Sequence, residues 1–358
     1  GSNYYKTPNI DRLAKEGVRF TDAYAACTVC SPTRAAIMTG KYPARLLLTQ
    51  WLPSGRWSRA GHKMKEGRYI SNLPLEEVTI AEALREHGYK TAFMGKWHLG
   101  TETYYYPEHQ GFDVNIAGRD YGAPGSYFFP FTGKWRIPST GKILHKKKPL
   151  SGKKGDYLAD RLAEEAEKFI RSNADKPFFL MLSHYAVHTP LQGKPDKVAK
   201  YELVSKTERQ GKPAYAAMVE SVDDSVGKVT GVLRELGLEE NTLVIFTSDN
   251  GPEVPTSIDM RKQYKHDGAR PWRGVKRDQW EGGHRIPFIA RWPKKITPGS
   301  ISDQTICLTD IMATCATLSG AKLPNNAAED SFDILPALLK ETEKPIREYT
   351  LHQTISLA

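Results

Sequence analysis

The chain has few cysteines, no long apolar run and no internal repeat. Its 358 residues include 4 cysteines, Cys27, Cys30, Cys307 and Cys315, whose spacing defines neither a disulfide framework nor a compartment. Cys307 and Cys315 do not repeat the Cys27-x-x-Cys30 interval, which argues against a zinc site of paired C-x-x-C type. No stretch is apolar over the length of a bilayer, so a membrane span is excluded. Nucleic acid is the least favoured partner, because the basic residues are scattered among loops and no known module is present. A secretory leader is also absent, but the chain begins inside a domain, so that absence carries no information.

What is present describes a soluble globular protein. Hydrophobic residues make up 39% and charged residues 26%, enough for a large core in one α/β domain or a domain with a smaller annex. The net charge of +10 favours an anionic partner, and nucleic acid, acidic polysaccharide and a membrane surface all fit it on charge alone.

The stretch from Ala26 to Gly40 organises the rest. Ser31 suits an N-cap, Pro32 the first helical position and Gly40 the residue past the end, which predicts a short helix over Pro32 to Thr39. Cys30 then stands just before a helix N-terminus, where free backbone N–H groups favour an anion, with Arg34 one turn on as a bidentate partner. Two other readings stay open on local grounds: a redox pair with Cys27, or a small buried hydrophobe.

Along the chain, Thr7-Pro8 opens a first helix stopped by Gly17, followed by extended Val18 to Phe20. Tyr42 to Asn72 reads as an irregular surface or rim segment. Thr79 and Glu82 form a capping box for a helix to His87, which feeds the extended run Tyr89 to Met94. Thr101 to Gly155 is aromatic and basic, with Tyr104 to Tyr106, Phe128, Phe129 and Lys146 to Lys148. It reads as a solvated loop excursion or as a rim gripping an anionic sugar. Helices are predicted over Asp156 to Asn173, Pro213 to Leu236, Thr309 to Leu318 and Phe332 to Lys340, and strands over Phe178 to Leu182, Leu243 to Thr247 and Ile286 to Trp292. Asp223 and Asp224, mid-helix, are read as solvated or pairing carboxylates.

Nearly continuous apolar strands alternating with helices predict an α/β fold, a mostly parallel central sheet with helices on both faces. Ligands bind such sheets at the carboxyl ends of strands. Lys96 and His98, then His188, then Asp249 and Asn250 each follow a predicted strand. Singly each has a structural reading: a surface lysine, a loop histidine, a turn at Asp249-Asn250-Gly251. Together, a carboxylate, an amide oxygen, cations and two histidines around an anion-binding helix end suit sulfuryl transfer.

Cys30-Ser31-Pro32-Thr33-Arg34 resembles the C-x-P-x-R signature of type I sulfatases of the alkaline-phosphatase superfamily, and Ala35 to Gly40 continue it. Gly95 to Gly100 is similar to that family's G-K-W-H-L-G, His188-Thr189-Pro190 to its H-x-P, Ser248 to Gly251 to its S-D-N-G, and Lys276 through Arg285 to its G-x-K and E-G-G-x-R. The resemblance runs from about Tyr5 to Pro293. It implies a catalytic domain over residues 1–340 that lacks its first strand, and with it a pair of metal-binding aspartates. Residues 341–358 would begin a small C-terminal subdomain that is mostly missing.

The resemblance also implies roles. Cys30 would be oxidised by a formylglycine-generating maturation enzyme, and the hydrated aldehyde would attack sulfur. One divalent cation, calcium, would sit on Asp249 and Asn250. Lys96, Lys276 and His188 would grip the sulfate, His188 would protonate the leaving alcohol, Arg34 would hold the formylglycine and metal side, and His98 would take a proton from the remaining hydroxyl. A sulfated carbohydrate is the expected substrate, and a secreted or periplasmic location follows by resemblance. Without the absent aspartates, the chain as written is expected to bind metal poorly and to be inactive. A phosphoesterase of the same superfamily and a non-catalytic binding protein for acidic glycans are the alternatives.

Overall fold

The computed structural model describes residues 2–52, 67–100, 102–136, 143–146, 150–253, 261–264 and 268–354. In chain order the elements are α1 (Pro8–Lys15), β1 (Val18–Phe20), β2 (Ala23–Tyr24), α2 (Cys30–Thr39), α3 (Pro43–Leu46), α4 (Ile80–Glu86), β3 (Lys90–Gly95), β4 (Val114–Ile116), β5 (Gly133–Arg136) and β6 (Ile143–Lys146). There follow α5 (Leu158–Ser172), β7 (Phe178–Ser183), α6 (Pro195–Glu202), α7 (Pro213–Glu235), β8 (Val244–Thr247), α8 (Glu281–His284), β9 (Phe288–Arg291), β10 (Ser300–Ser302), β11 (Ile306–Cys307), α9 (Asp310–Ser319) and α10 (Leu335–Leu338).

The expected parallel pairing holds in the sheet β4-β3-β7, where β3 runs parallel to both neighbours and matches β7 from Lys90↔Phe178 to Gly95↔Ser183. Side chains of β3 alternate between two cores, as a strand with both faces covered must. Phe93 packs with the helices α2, α4 and α9, whereas Ala92 and Met94 pack with α5. A second sheet, β10-β1-β9-β8, is mixed: β1 is parallel to β10, and β9 runs antiparallel to both β1 and β8.

The two strands that deliver site residues, β7 and β8, are half-buried along most of their length rather than fully enclosed. Each pairs with a single strand among the described residues, β7 with β3 and β8 with β9, so each has an open edge.

Local signals set most element ends. The capping box forms: Glu82 N donates to Thr79 Oγ1 at 3.2 Å, and Thr79 N donates to Glu82 Oε2 at 2.8 Å. Gly40 ends α2 at φ 66° and Gly320 ends α9 at φ 73°. The last helix is shorter than predicted, Leu335–Leu338, because the Asp333 carboxylate caps it late through Leu335 N at 2.8 Å.

Several expectations are corrected. The start of the Tyr42 to Asn72 segment is interior, not rim: Leu46, Leu48 and Leu52 are buried. Residues 53–66 lie outside the described residues. The aromatic segment is not a solvated excursion either. Phe112, Tyr121, Tyr127 and Phe131 are buried, Phe128 and Phe129 pack against the second core, and Tyr104 is the exposed member of its run. Lys146 turns its Nζ onto the Pro124 carbonyl at 3.2 Å, while Lys147 and Lys148 lie outside the described residues.

Asp223 is buried, not solvated. Its carboxylate accepts from Asn9 N at 3.0 Å and Ile10 N at 2.8 Å, satisfying the free N–H groups that open α1. Asp224 does pair, with Lys197 at 3.0 Å. Residues 341–354 lie against the main core: buried Arg347 forms an ion pair with Asp310, and Gln353 N donates to Ala26 O at 3.1 Å.

Candidate active site

Helix α2 begins two residues earlier than its sequence suggests. Val29 is the N-cap, with no side-chain cap bond, and Cys30 is the first helical residue. Ser31 does not cap because its hydroxyl accepts from Leu52 N at 3.1 Å. Thr33 takes a local role instead, accepting from Cys27 N at 3.2 Å and donating to Cys27 O at 2.9 Å. Cys30 is thus at the head of a buried helix, with its side chain 4% exposed.

Strand β3 ends in Gly95, whose φ of 106° turns the chain, and a Cβ there would lie 2.0 Å from Ser183 O. Lys96 and His98 follow, both buried. His98 adopts φ 62°, a left-handed conformation costing on the order of 1 kcal/mol for a non-glycine residue. Its Nε2 lies 2.6 Å from Leu52 O, an acceptor only, so Nε2 carries a proton and Nδ1 is the ring nitrogen open to the site. Nδ1 is buried with no hydrogen-bond partner among the described residues. Gly122 covers this ring so closely that an added Cβ would stand 2.3 Å from His98 Cε1.

The Arg34 guanidinium engages Asp249 and the ends of β3 and β7. Nε donates to Asp249 Oδ2 at 2.8 Å, and Nη1 donates to Ser183 Oγ at 2.6 Å and to Lys96 O. Asp249 Oδ2 also lies 3.6 Å from Lys96 Nζ. Arg34 therefore ties the ends of β3, β7 and β8 to one carboxylate. Asn250, the next residue, anchors Nδ2 on Gly251 O at 2.8 Å and leaves Oδ1 buried with no partner among the described residues.

His188 follows β7. Its Nδ1 lies 3.0 Å from Thr189 O, which puts the proton on Nδ1 and a lone pair on Nε2. Tyr127 holds this residue by donating to His188 O at 2.9 Å, so the aromatic segment props the site from behind. Lys276 is buried and lies 3.6 Å from Glu253 Oε2, a carboxylate also paired with Arg277.

The charges of these groups act on one another. Burial alone would raise the Cys30 thiol, but Lys96, Lys276 and His98 hold it well below its ordinary value. Burial would likewise raise Asp249, but Lys96, Arg34 and Lys276 keep its carboxylate far below the usual range. Burial lowers Lys96, with further lowering from Arg34 and Lys276 and partial compensation by Cys30 and Asp249. His188 is depressed by burial and then by Lys276 and Lys96, so its resting ring is neutral.

Every candidate from the sequence, Cys30, Arg34, Lys96, His98, His188, Asp249, Asn250 and Lys276, thus lies in one cluster. Others were missed. Ser183 and Glu253 position Arg34 and Lys276, and each is a polar residue just past an apolar or motif stretch. His184, the residue after β7, has both ring nitrogens buried without a partner among the described residues, and burial pushes its pKa down to about 4.

The sulfatase family model matches residues 1–321. The chain belongs to the sulfatase family. Within it, this sulfatase-family chain is 35% identical to an arylsulfatase of Hemicentrotus pulcherrimus, over 94% of its own length and 58% of that protein's. It is 33% identical to an N-acetylgalactosamine-6-sulfatase of Canis lupus familiaris, over 96% of its own length and 64% of the relative's. It therefore spans about three fifths of the curated relatives' lengths. The solved structure of Ps i-CgsB in complex with k-i-k-neocarrahexaose matches with TM-score 0.76 at 31% identity, covering 95% of this chain and 72% of that one.

A divalent cation fits part of this sulfatase site. Asp249 and the orphaned Asn250 Oδ1 are hard oxygen donors. Among the described residues no group of three or more His, Cys, Asp or Glu forms a cage.

Proposed function

We propose that this catalytic domain, within its full-length protein, hydrolyses a sulfate ester on a sulfated carbohydrate, using a formylglycine made from Cys30 and one calcium ion. The observation that carries this reading is that Lys96, Lys276 and His98 act on residue 30 at the head of α2, that His188 faces the same two lysines, and that Lys96 Nζ lies 3.6 Å from Asp249. Such an arrangement suits a tetrahedral anion beside a nucleophile, with donors fixed before substrate arrives.

Formylglycine, when hydrated, supplies the hydroxyl nucleophile and can collapse back to an aldehyde. Calcium would be held by Asp249 and Asn250 Oδ1 and would withdraw charge from sulfate oxygens. Lys96 and Lys276 bind the non-bridging oxygens. Bound sulfate offsets the two cations that depress His188, which raises the proton affinity of Nε2 and readies it to protonate the leaving alkoxide. His98 accepts a proton at Nδ1 from a hydroxyl of residue 30, its ring fixed by the bond from Nε2 to Leu52 O. Arg34 holds Asp249 and the strand ends in register.

A sugar substrate is supported by the similarity to an N-acetylgalactosamine-6-sulfatase and to Ps i-CgsB solved with k-i-k-neocarrahexaose. A secreted or periplasmic location and a formylglycine-generating maturation enzyme belong to the same reading. No helix among the described residues is long and apolar enough to cross a membrane.

The test uses the full-length natural protein produced with a maturation enzyme and supplied with calcium. Release of sulfate from an aryl sulfate is expected to exceed release of phosphate from the matched aryl phosphate, and Cys30→Ala abolishes it. Preferred phosphate release would favour a phosphoesterase, and calcium-dependent glycan binding without turnover would favour a binding protein.

A further inference from the structure

We propose that Arg273 and Trp280 form an outer subsite for a second anionic group of a polyanionic glycan, one or two sugars removed from the ester held at Lys276. This rests on the sulfated-carbohydrate reading above and extends it from a single sulfated sugar to a chain carrying several charges.

The pair lies on the turn that carries Lys276. Gly282 N donates to Arg273 O at 2.7 Å, Asp278 N to Val275 O at 2.9 Å and Gly283 N to Trp280 O at 2.7 Å, closing the turn on itself. It is also pinned to the segment after β8, by Gly251 N to Gly283 O and Lys276 N to Pro252 O, both 2.9 Å. Val275 and Lys276 point inward and are buried, whereas Arg273 and Trp280 are exposed on the outer side. Three residues of chain reach at most about 11 Å, so the Arg273 backbone is within about two sugar units of the Lys276 backbone.

Arg273 differs from the arginines around it. Arg34 is paired with Asp249, Arg277 with Glu253 and Arg285 with Asp22 and Glu281. Arg273 has no carboxylate or hydrogen-bond partner among the described residues; its guanidinium lies 3.8 Å over the Trp280 ring. Stacking occupies one face of the guanidinium and leaves the N–H edge in its plane free. A held, unneutralised fork of donors suits a sulfate or carboxylate, which it can take bidentately. Trp280 remains 40% exposed beside it and offers apolar surface to the adjoining sugar ring. A surface arginine resting on a tryptophan is often only packing, which fixes what the experiment must separate.

Binding is measured calorimetrically in the full-length protein carrying Cys30→Ala, so that no turnover is required. The probes are a sulfated galactan hexasaccharide and a monosulfated disaccharide. Arg273→Ala is expected to weaken the hexasaccharide about tenfold or more relative to the disaccharide, as loss of a charged bidentate contact predicts. Arg273→Lys, which keeps the charge but loses the fork and the stack, is expected to fall between. Equal weakening of both probes would make the pair a support for the Lys276 turn and overturn the proposal. No change in either, or no hexasaccharide binding by the parent at about 1 mM, would overturn it too. The two readings fail separately. Arg273-dependent length preference in a protein that releases no sulfate removes the hydrolase reading alone, and sulfate release without that preference removes the subsite alone.

Discussion

Replacing Gly122 by alanine tests how tightly His98 is held. The φ of Gly122 is outside the left-handed region, so the backbone itself accepts alanine. The obstacle is the new methyl, which would stand 2.3 Å from His98 Cε1, 2.6 Å from Nδ1 and 2.9 Å from Nε2. Ordinary carbon contacts begin near about 3.5 Å, so the ring must retreat by roughly 1 Å. That motion breaks the 2.6 Å contact of Nε2 with Leu52 O, because the ring is buried and has no alternative site. Overpacking of this kind costs about 1–3 kcal/mol and lowers the melting temperature by a few degrees. A catalytic base misplaced by about 1 Å loses on the order of 100-fold in kcat. The assay is a double-mutant cycle with His98→Ala, read by urea unfolding and by aryl sulfate turnover. With the imidazole gone the methyl has room, so Gly122→Ala is expected to cost almost nothing further in that background. Equal destabilisation in both backgrounds, or wild-type turnover in Gly122→Ala, would refute the reasoning.

Breaking the buried pair of Arg347 and Asp310 by Arg347→Ala is expected to cost about 3–5 kcal/mol, and Arg347→Met with Asp310→Asn to recover part of it, measured by urea unfolding. Asp223→Ala strips the acceptor from Asn9 N and Ile10 N at the start of α1, with an expected loss of about 1–2 kcal/mol in the same assay. His352, stacked 3.9 Å from His284, is pushed down to about 4 by burial and then by that neighbour. Its folded pKa is below the ordinary 6.5, so the unfolded chain binds the proton first. Stability is therefore complete above about pH 6.5 and lost as pH falls towards about 4, with a slope of up to about 1.4 kcal/mol per unit. His352→Gln is expected to flatten that slope in unfolding measured across the range.

Much of the site was legible because Lys96, Asp249 and Asn250 follow closely on strands and Cys30 opens a helix, positions that short-range patterns locate well. Lys96, His188 and Asp249 required only that apolar runs end in polar residues. What the sequence did not reveal depends on distant partners. Ser31 looks like a cap, and only the fold brings Leu52 N to its hydroxyl. Tyr127 and Phe131 carry no periodicity that separates a core aromatic from an exposed one, yet they pack beneath the His188 loop. Arg34 was aimed at an anion near its own helix, whereas Asp249 reaches it from β8 and takes its guanidinium. The antiparallel placement of β9 between β1 and β8 likewise rests on long-range pairing that no local signal announces.

Residue 30 is proposed to become an aldehyde whose hydrate attacks sulfur beside Lys96, Lys276 and His188. The most direct test of this is the mass of the proteolytic peptide spanning residue 30, taken from the full-length protein produced with a formylglycine-generating enzyme. The account predicts the mass of formylglycine at position 30, in a proportion that tracks sulfate release across preparations. A preparation that carries only the Cys30 thiol and still turns over sulfate ester at full rate would contradict it.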